Sequence, residues 1–138
     1  MNNTSTFPVV ETTVRVRYAE TDQSGIVYNA NYLIWCELGR GDYFWQRGKD
    51  YGRDIEARGL SLPVVEANLR FLAPARYGEL VTIRTTVQTM KSRDLTFSYI
   101  IRNEQTGQVL CTGWTRHMWV DRDGRVRTAP VELRNLLY

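Results

Sequence analysis

Apolar and polar residues alternate along much of this chain, and the period of that alternation divides it into elements. Val14, Val16 and Tyr18 alternate with Arg15 and Arg17, which predicts a strand with one buried face. Residues 19–30 are mostly small or polar and read as a loop. From about Asn31 to Arg47 the spacing lengthens, and Tyr32, Trp35, Cys36, Gly39 and Tyr43 recur at helical intervals to make one apolar face. Asn29 or Asn31 can cap this helix, Asn31 can instead orient the preceding loop through its side-chain amide, and Gly48 is placed to end the helix. Gly39 and Gly41 each cost about 1 kcal/mol of helix propensity against Ala, which is tolerated where a backbone packs closely on a neighbour, here a sheet. Asp50 to Arg58 predicts a short second helix closed by Gly59.

Strand periodicity then takes over. Val65, Ala67, Leu69 and Phe71 alternate with Glu66, Asn68 and Arg70. Val81, Ile83, Thr85 and Val87 form the next set, and Leu95, Phe97, Tyr99 and Ile101 the third. A turn over 103–108 containing Gly107 leads into a long run from Val109 to Val120. Asp121-Arg122-Asp123-Gly124 is a strong turn signal with a brief strand after it. Pro130 can open a last short helix ending at Leu137. Late strands joined by tight turns pair antiparallel. One long helix lying on such a sheet gives an α+β domain. That single domain spans 1–138, with its core at about 12–128 and a polar tail at 1–8.

Composition changes this picture little. No apolar run approaches the ~20 residues needed to span a bilayer. The polar start lacks a basic region followed by an apolar stretch, so no secretory signal is expected and the cytoplasm is the expected compartment. The net charge is +3, with 18 basic residues spread along the chain. The absence of a Lys/Arg block argues against nucleic acid as a partner, and a modest positive field suits a small polyphosphate ligand. Cys36 and Cys111 sit in no CxxC motif and beside no His, and are expected to be buried, reduced and inert. With one histidine, His117, and two separated cysteines, no structural zinc site is expected, and a catalytic thiol would have only His117 as its base. His117 shares a strand face with Thr115 and Trp119, where a core or interface role is expected.

The most informative stretch runs Tyr18-Ala19-Glu20-Thr21-Asp22-Gln23-Ser24-Gly25-Ile26-Val27-Tyr28-Asn29-Ala30-Asn31-Tyr32-Leu33. Its Thr-Asp, Gly-Ile-Val-aromatic and Asn-Tyr groups resemble the signature of the 4-hydroxybenzoyl-CoA thioesterase family of hotdog-fold proteins. Weaker matches follow in Pro63 to Ala67, in Phe71 to Glu79, in Ser92-Arg93 and in Gly113-Trp114-Thr115. The resemblance runs from about Thr12 to Asp123. It implies an antiparallel sheet wrapped around the long helix, and subunits paired so that each active site lies at an interface, many members being tetramers. It also implies hydrolysis of an acyl-coenzyme A thioester to free acid and coenzyme A, with no cofactor, and casts Asp22 as the catalytic carboxylate.

The physical case supports that role. Thioester hydrolysis needs a nucleophile, or a base that activates water, and donors for the oxygen as it becomes negative. A helix N-terminus offers free backbone N–H groups and the positive end of its dipole. The segment Gly25, Ile26, Val27, Tyr28 to Asn31 leads into the helix and can hold the thioester oxygen, and the resemblance puts the key N–H near Asn29. Gly25 lets the backbone approach a ligand without a Cβ in the way, and Tyr28 can line an acyl pocket. Many relatives carry His where this chain has Asn29, and others Tyr. Asn29 cannot act as a general base, so the chemistry rests on Asp22, the helix end and Glu66, which can be a supporting carboxylate, can reach a partner's site or can be a plain strand residue.

Lys91, Ser92 and Arg93 lie in a turn where they can bind coenzyme A phosphates, or can be an ordinary charged hairpin tip. Arg122, Arg125 and Arg127 have a weaker claim of the same kind. Tyr43, Phe44 and Trp45 can shape an acyl tunnel or can be packing. Competing readings are a dehydratase acting on acyl carriers, against which the lack of a nearby His argues, and a non-catalytic acyl-CoA sensor or scaffold. The acyl group, and whether an acyl carrier protein replaces coenzyme A, are open at this level.

Overall fold

The computed structural model describes residues 7–138, so most of the polar tail expected at 1–8 lies outside the described residues. The first strand, β1 (Val9–Arg15), starts earlier than the alternation implied. Val16 is still buried and its N–H reaches the Glu79 carbonyl at 2.8 Å. The chain then turns, so Tyr18 is not on the strand: it opens a single 3-10 turn (Tyr18–Glu20), exposed, with its ring edge-on to Tyr77. The long helix α1 (Ala30–Trp45) buries Tyr32, Trp35, Cys36, Gly39 and Tyr43, the face expected from their spacing. Neither Asn29 nor Asn31 caps it through a side chain. Gly48 does close it, at φ +71°, with the Lys49 N–H returning to the Phe44 carbonyl at 3.0 Å.

The expected second helix is broken in two. A short α2 (Tyr51–Asp54), capped by the Asp50 side chain, leads to a 3-10 turn (Glu56–Arg58). The break falls at Ile55, whose side chain is turned fully into the core. After β2 (Leu60–Ser61) come β3 (Val64–Phe71), β4 (Leu80–Met90), β5 (Asp94–Asn103) and β6 (Val109–Met118). The run expected to continue to Val120 is interrupted at buried Trp119. Beyond it β7 (Val120–Asp121) leaves the main sheet to pair with β2. The brief strand expected after Gly124 is a single bridge between Val120 and Val126. A last helix, α3 (Val131–Asn135), follows Pro130, and the Tyr43 hydroxyl donates to the carbonyl of Leu137 to hold the C-terminus on the core.

The main sheet has the order β1-β4-β5-β6-β3, antiparallel throughout. Val81, Ile83, Thr85 and Val87 of β4 and Leu95, Phe97, Tyr99 and Ile101 of β5 are all buried, as their alternation predicts. Helix α1 lies on this face. A Cβ at Gly39 would collide with Thr85 Oγ1 and come within 3.1 Å of Ile83, which is why the helix tolerates glycine there. Gly41 has open space beside it, so close packing does not explain that residue.

The edge strand β3 departs from simple alternation. Val65 (46%), Phe71 (45%) and the following Leu72 (53%) are exposed, while Leu69 packs on the core and the Phe71 ring meets buried Tyr32 edge-on with centroids 5.3 Å apart. This places an uncovered apolar edge along one side of the sheet.

Candidate active site

Residues 20–28 fold back on themselves as a narrow hairpin. The Tyr28 N–H donates to the Glu20 carbonyl at 2.9 Å and the Asp22 N–H to the Ile26 carbonyl at 2.8 Å, while Thr21 bridges Val27. Gly25, at φ +81°, turns the tip. Asp22 sits at this tip, exposed. One carboxylate oxygen accepts the Ser24 N–H at 2.8 Å, and the other has no partner among the described residues. The hairpin docks through the Val27 N–H on the Ala75 carbonyl and an Ile26–Arg76 bridge.

The returning strand of the hairpin runs straight into α1. The backbone N–H groups of Asn29 and Ala30 have no acceptor among the described residues, while those of Asn31 and Tyr32 turn back onto Tyr28 and Asn29. Two donors at the positive end of a sixteen-residue helix therefore stand open. They lie beside a shallow cavity of about 250 Å³ bordered by Ile26, Val27, Asn29, Tyr32, Phe71 and Leu72. Asp22, Gly25 and Tyr28 lie on the adjoining loop rather than in its wall. The Asn31 amide donates to the Glu20 carbonyl at 2.9 Å, so this side chain ties the loop to the helix instead of capping it.

Glu20 is a residue the sequence reading passed over. Its carboxylate is buried, accepting the Trp35 indole N–H at 2.9 Å and the Arg17 backbone N–H at 2.8 Å. It clamps the base of the hairpin to α1, two residues from Asp22. The signal for it was Trp35 on the buried helix face, whose indole needs an acceptor.

The remaining candidates lie elsewhere. Glu66 is exposed on β3 with Arg116 4.0 Å away. Lys91, Ser92 and Arg93 form the exposed β4–β5 turn, where the Ser92 and Arg93 carbonyls hold Ala129 and Trp119. The Asp22 hairpin follows the end of β1, which pairs with the start of β4 through Arg15 and Leu80, whereas this turn follows the other end of β4, about 33 Å away along the strand. Arg122 and Arg125 are exposed, and Arg127 pairs with Asp121 at 2.6 Å. Tyr43 is core, Phe44 borders the second cavity described next, and Trp45 is 60% exposed.

That second cavity, of about 430 Å³, opens between the middle of α1 and the start of β3. Glu37, Arg40, Gly41 and Phe44 face it from α1, a spacing of three and four residues that marks a second helix face. His117 lies at its edge, buried, its Nδ1 2.9 Å from the Leu62 carbonyl and its Nε2 2.8 Å from Thr115 Oγ1. Burial holds its pKa down at about 4, so it is neutral near pH 7. Cys36 and Cys111 are buried free thiols whose desolvation pushes them up to about 12 and about 11, in keeping with the inert role expected of them. Among the described residues, no group of three or more His, Cys, Asp or Glu is placed to hold a metal ion, and no helix is long and apolar enough to cross a membrane.

Comparison with known proteins agrees with this architecture. Residues 16–136 match the model of the thioesterase-like superfamily. YneP of Bacillus subtilis, named for acyl-CoA thioesterase activity, is 37% identical over 110 residues, covering 80% of this chain and 78% of its own. The 1,4-dihydroxy-2-naphthoyl-CoA hydrolase of Thermosynechococcus vestitus is 31% identical, covering 81% and 76%. The crystal structure of TT1821 from Thermus thermophilus superposes with a TM-score of 0.86 at 41% identity, covering 92% and 95%. Sequence motif, strand order and central helix thus converge, and the chain belongs to the thioesterase-like superfamily and has the hotdog fold.

Proposed function

We propose that this protein hydrolyses acyl-coenzyme A thioesters, with Asp22 as the catalytic carboxylate and the Asn29 and Ala30 amides as the oxyanion donors. The observation that carries this is that one hairpin, running straight into α1, joins a carboxylate with one oxygen lacking a partner among the described residues to two helix-end amides that likewise lack an acceptor among them. In the water route, Asp22 takes a proton from water as the oxygen attacks the carbonyl carbon. The tetrahedral oxyanion collapses, breaking the C–S bond, and the proton passes to the departing thiolate. In the direct route, Asp22 attacks to release the thiolate, and water cleaves the resulting anhydride. Both consume one water and yield acid and thiol. The names of the relatives in Bacillus and Thermosynechococcus point to the same thioester class.

The site is completed by a second copy of the chain. The open edge of β3, with Val65, Phe71 and Leu72 uncovered, suits antiparallel pairing with another β3 about its midpoint. Such a two-fold puts the start of each β3 beside the end of its mate. The basic turn at Lys91–Arg93 and Glu66 then approach the partner's Asp22 hairpin, resolving their separation within one chain. Two unpaired cysteines suit a reducing compartment such as the cytoplasm.

The test is free-thiol release from acetyl-, hexanoyl-, palmitoyl-, benzoyl- and phenylacetyl-CoA by wild type and Asp22→Asn. Wild type should turn over at least one of these, and the folded variant should lose about 100-fold or more. Full activity in Asp22→Asn would sink the assignment of the carboxylate. Tight acyl-CoA binding with no release by wild type, from coenzyme A or an acyl carrier protein, would replace hydrolysis with sensing.

A further inference from the structure

Tyr32 belongs to the apolar face of α1, yet it ends in a hydroxyl. It is 2% exposed and borders the cavity at the helix end together with Asn29, Ala73 and Pro74. Side chains on a helix lean towards its N-terminus. Tyr32 stands in the first turn of α1, so its ring reaches back towards the end where the Asn29 and Ala30 amides stand open. Two edge-on aromatic contacts fix that ring, with centroids 5.0 Å from Trp35 and 5.3 Å from Phe71.

The hydroxyl is only half engaged. Its oxygen accepts the Ala75 N–H at 3.2 Å, and the carbonyl of the same Ala75 accepts the Val27 N–H at 2.9 Å. Ala75 therefore ties the ring to the hairpin that carries Asp22. A phenol that accepts one bond still has a proton to donate, and nothing among the described residues accepts it. A buried donor without an acceptor is costly unless a ligand supplies one. The other polar side chains of this corner do not compete for the task. The Asn31 amide already donates to the Glu20 carbonyl, the Glu20 carboxylate accepts from Trp35 and Arg17, and Asn29 is exposed. Burial pushes the Tyr32 phenol above its ordinary pKa against the pull of the Ala75 N–H, and Cys111 and Glu79, which face it from β6 and from the turn before β4, add to the rise. The phenol thus keeps its proton at neutral pH. A hydrogen bond strengthens as its acceptor gains charge, so such a proton helps most when a carbonyl oxygen becomes an oxyanion.

We propose that the Tyr32 hydroxyl is a third oxyanion donor, giving its hydrogen bond to the thioester oxygen beside the Asn29 and Ala30 amides while its own oxygen stays anchored by the Ala75 N–H. The proposal rests on the thioesterase reading. Tyr32 keeps its proton throughout, sharing it with the oxyanion without transfer, so the reaction still consumes one water and yields acid and thiol.

The test starts from Tyr32→Phe, which keeps the ring and removes the oxygen. In the thiol-release assay kcat should fall about 100-fold with KM changed by less than about threefold. The same variant loses the acceptor for the Ala75 N–H, so two further readouts separate the proton from the anchor. The first is the infrared carbonyl band of hexanoyl-CoA and benzoyl-CoA, isotopically labelled at the thioester carbonyl carbon and bound to Asp22→Asn. Adding Tyr32→Phe should move that band to higher frequency, as a lost donor does. The second is a ring-fluorinated tyrosine in place of Tyr32, whose phenol is more acidic. Its phenolate still accepts from Ala75 and can no longer donate, so kcat should fall with rising pH earlier than in wild type. Should Tyr32→Phe fail to fold, the fluorinated protein decides. Full kcat in Tyr32→Phe, a loss confined to KM, an unmoved carbonyl band, or an unchanged pH profile in the fluorinated protein each overturns the donor role and leaves hydrolysis by Asp22 intact. A carbonyl band that moves with Tyr32 in a protein that releases no thiol overturns hydrolysis and leaves the donor standing.

Discussion

His117 can occupy its place only as a neutral ring, and that has a measurable cost in acid. Its folded pKa lies at about 4, against 6.5 for the free side chain, because burial disfavours the cation. Between those values the unfolded chain binds a proton that the native chain does not, so stability is full above pH 6.5 and is lost as pH falls towards 4. The loss attributable to this one residue is up to about 3 kcal/mol. Urea unfolding at pH 7.0 and pH 4.5 should show it, and His117→Gln should flatten the difference even if it lowers both midpoints. An unchanged pH slope in that variant would place the acid sensitivity elsewhere. At this scale the sequence was legible where a residue type has few options: a lone histidine without metal-binding company, or Cys36 on an apolar helix face. It was not legible for Glu20, because a glutamate in a polar loop carries no local mark of the buried indole it meets across fifteen residues.

Among the elements, α1 is the one whose seating decides the site, since its first turn carries the open amides. Gly39 sets how closely it lies on β4, with Thr85 Oγ1 directly in the path of any Cβ and itself without a hydrogen-bond partner among the described residues. Gly39→Val should therefore destabilise by about 2–3 kcal/mol through overpacking. Adding Thr85→Ala, which removes the obstructing oxygen, should recover about 1 kcal/mol or more of that in a double-mutant comparison. Strict additivity would show that the contact is not the cause. The strands of β4 and β5 and the face of α1 followed from spacing because each buries one face against the other. The ends did not follow as well: β1 begins early because Val9 to Val14 gain partners on β4, and the run through Trp119 breaks because its continuation pairs with β2. Those choices are made by tertiary partners, which a local period does not encode.

For the molecule as a whole, the uncovered edge of β3 is the decisive surface. If two copies pair along it, thiol-release activity per chain should fall when the protein is diluted below its dimer dissociation constant. Val65→Arg, which puts charge on that edge, should raise that constant about 10-fold or more by sedimentation without unfolding the chain. A fully active monomer would refute the pairing. The candidate residues were legible from their motif, but their distribution was not: the sequence lists Asp22 and Lys91 side by side as site residues, while the fold sets them at opposite ends of an eleven-residue strand. That separation has a consequence for inheritance. On the paired reading each chain is half of two centres and the sole owner of neither. A copy that has lost its carboxylate still lends a sound basic turn to its neighbour, so activity in a mixed population should decline in proportion to the damaged share. Two chains with different lesions, one at Asp22 and one in the Lys91–Arg93 turn, should rebuild one intact centre in every mixed pair, and the two defective alleles would complement each other.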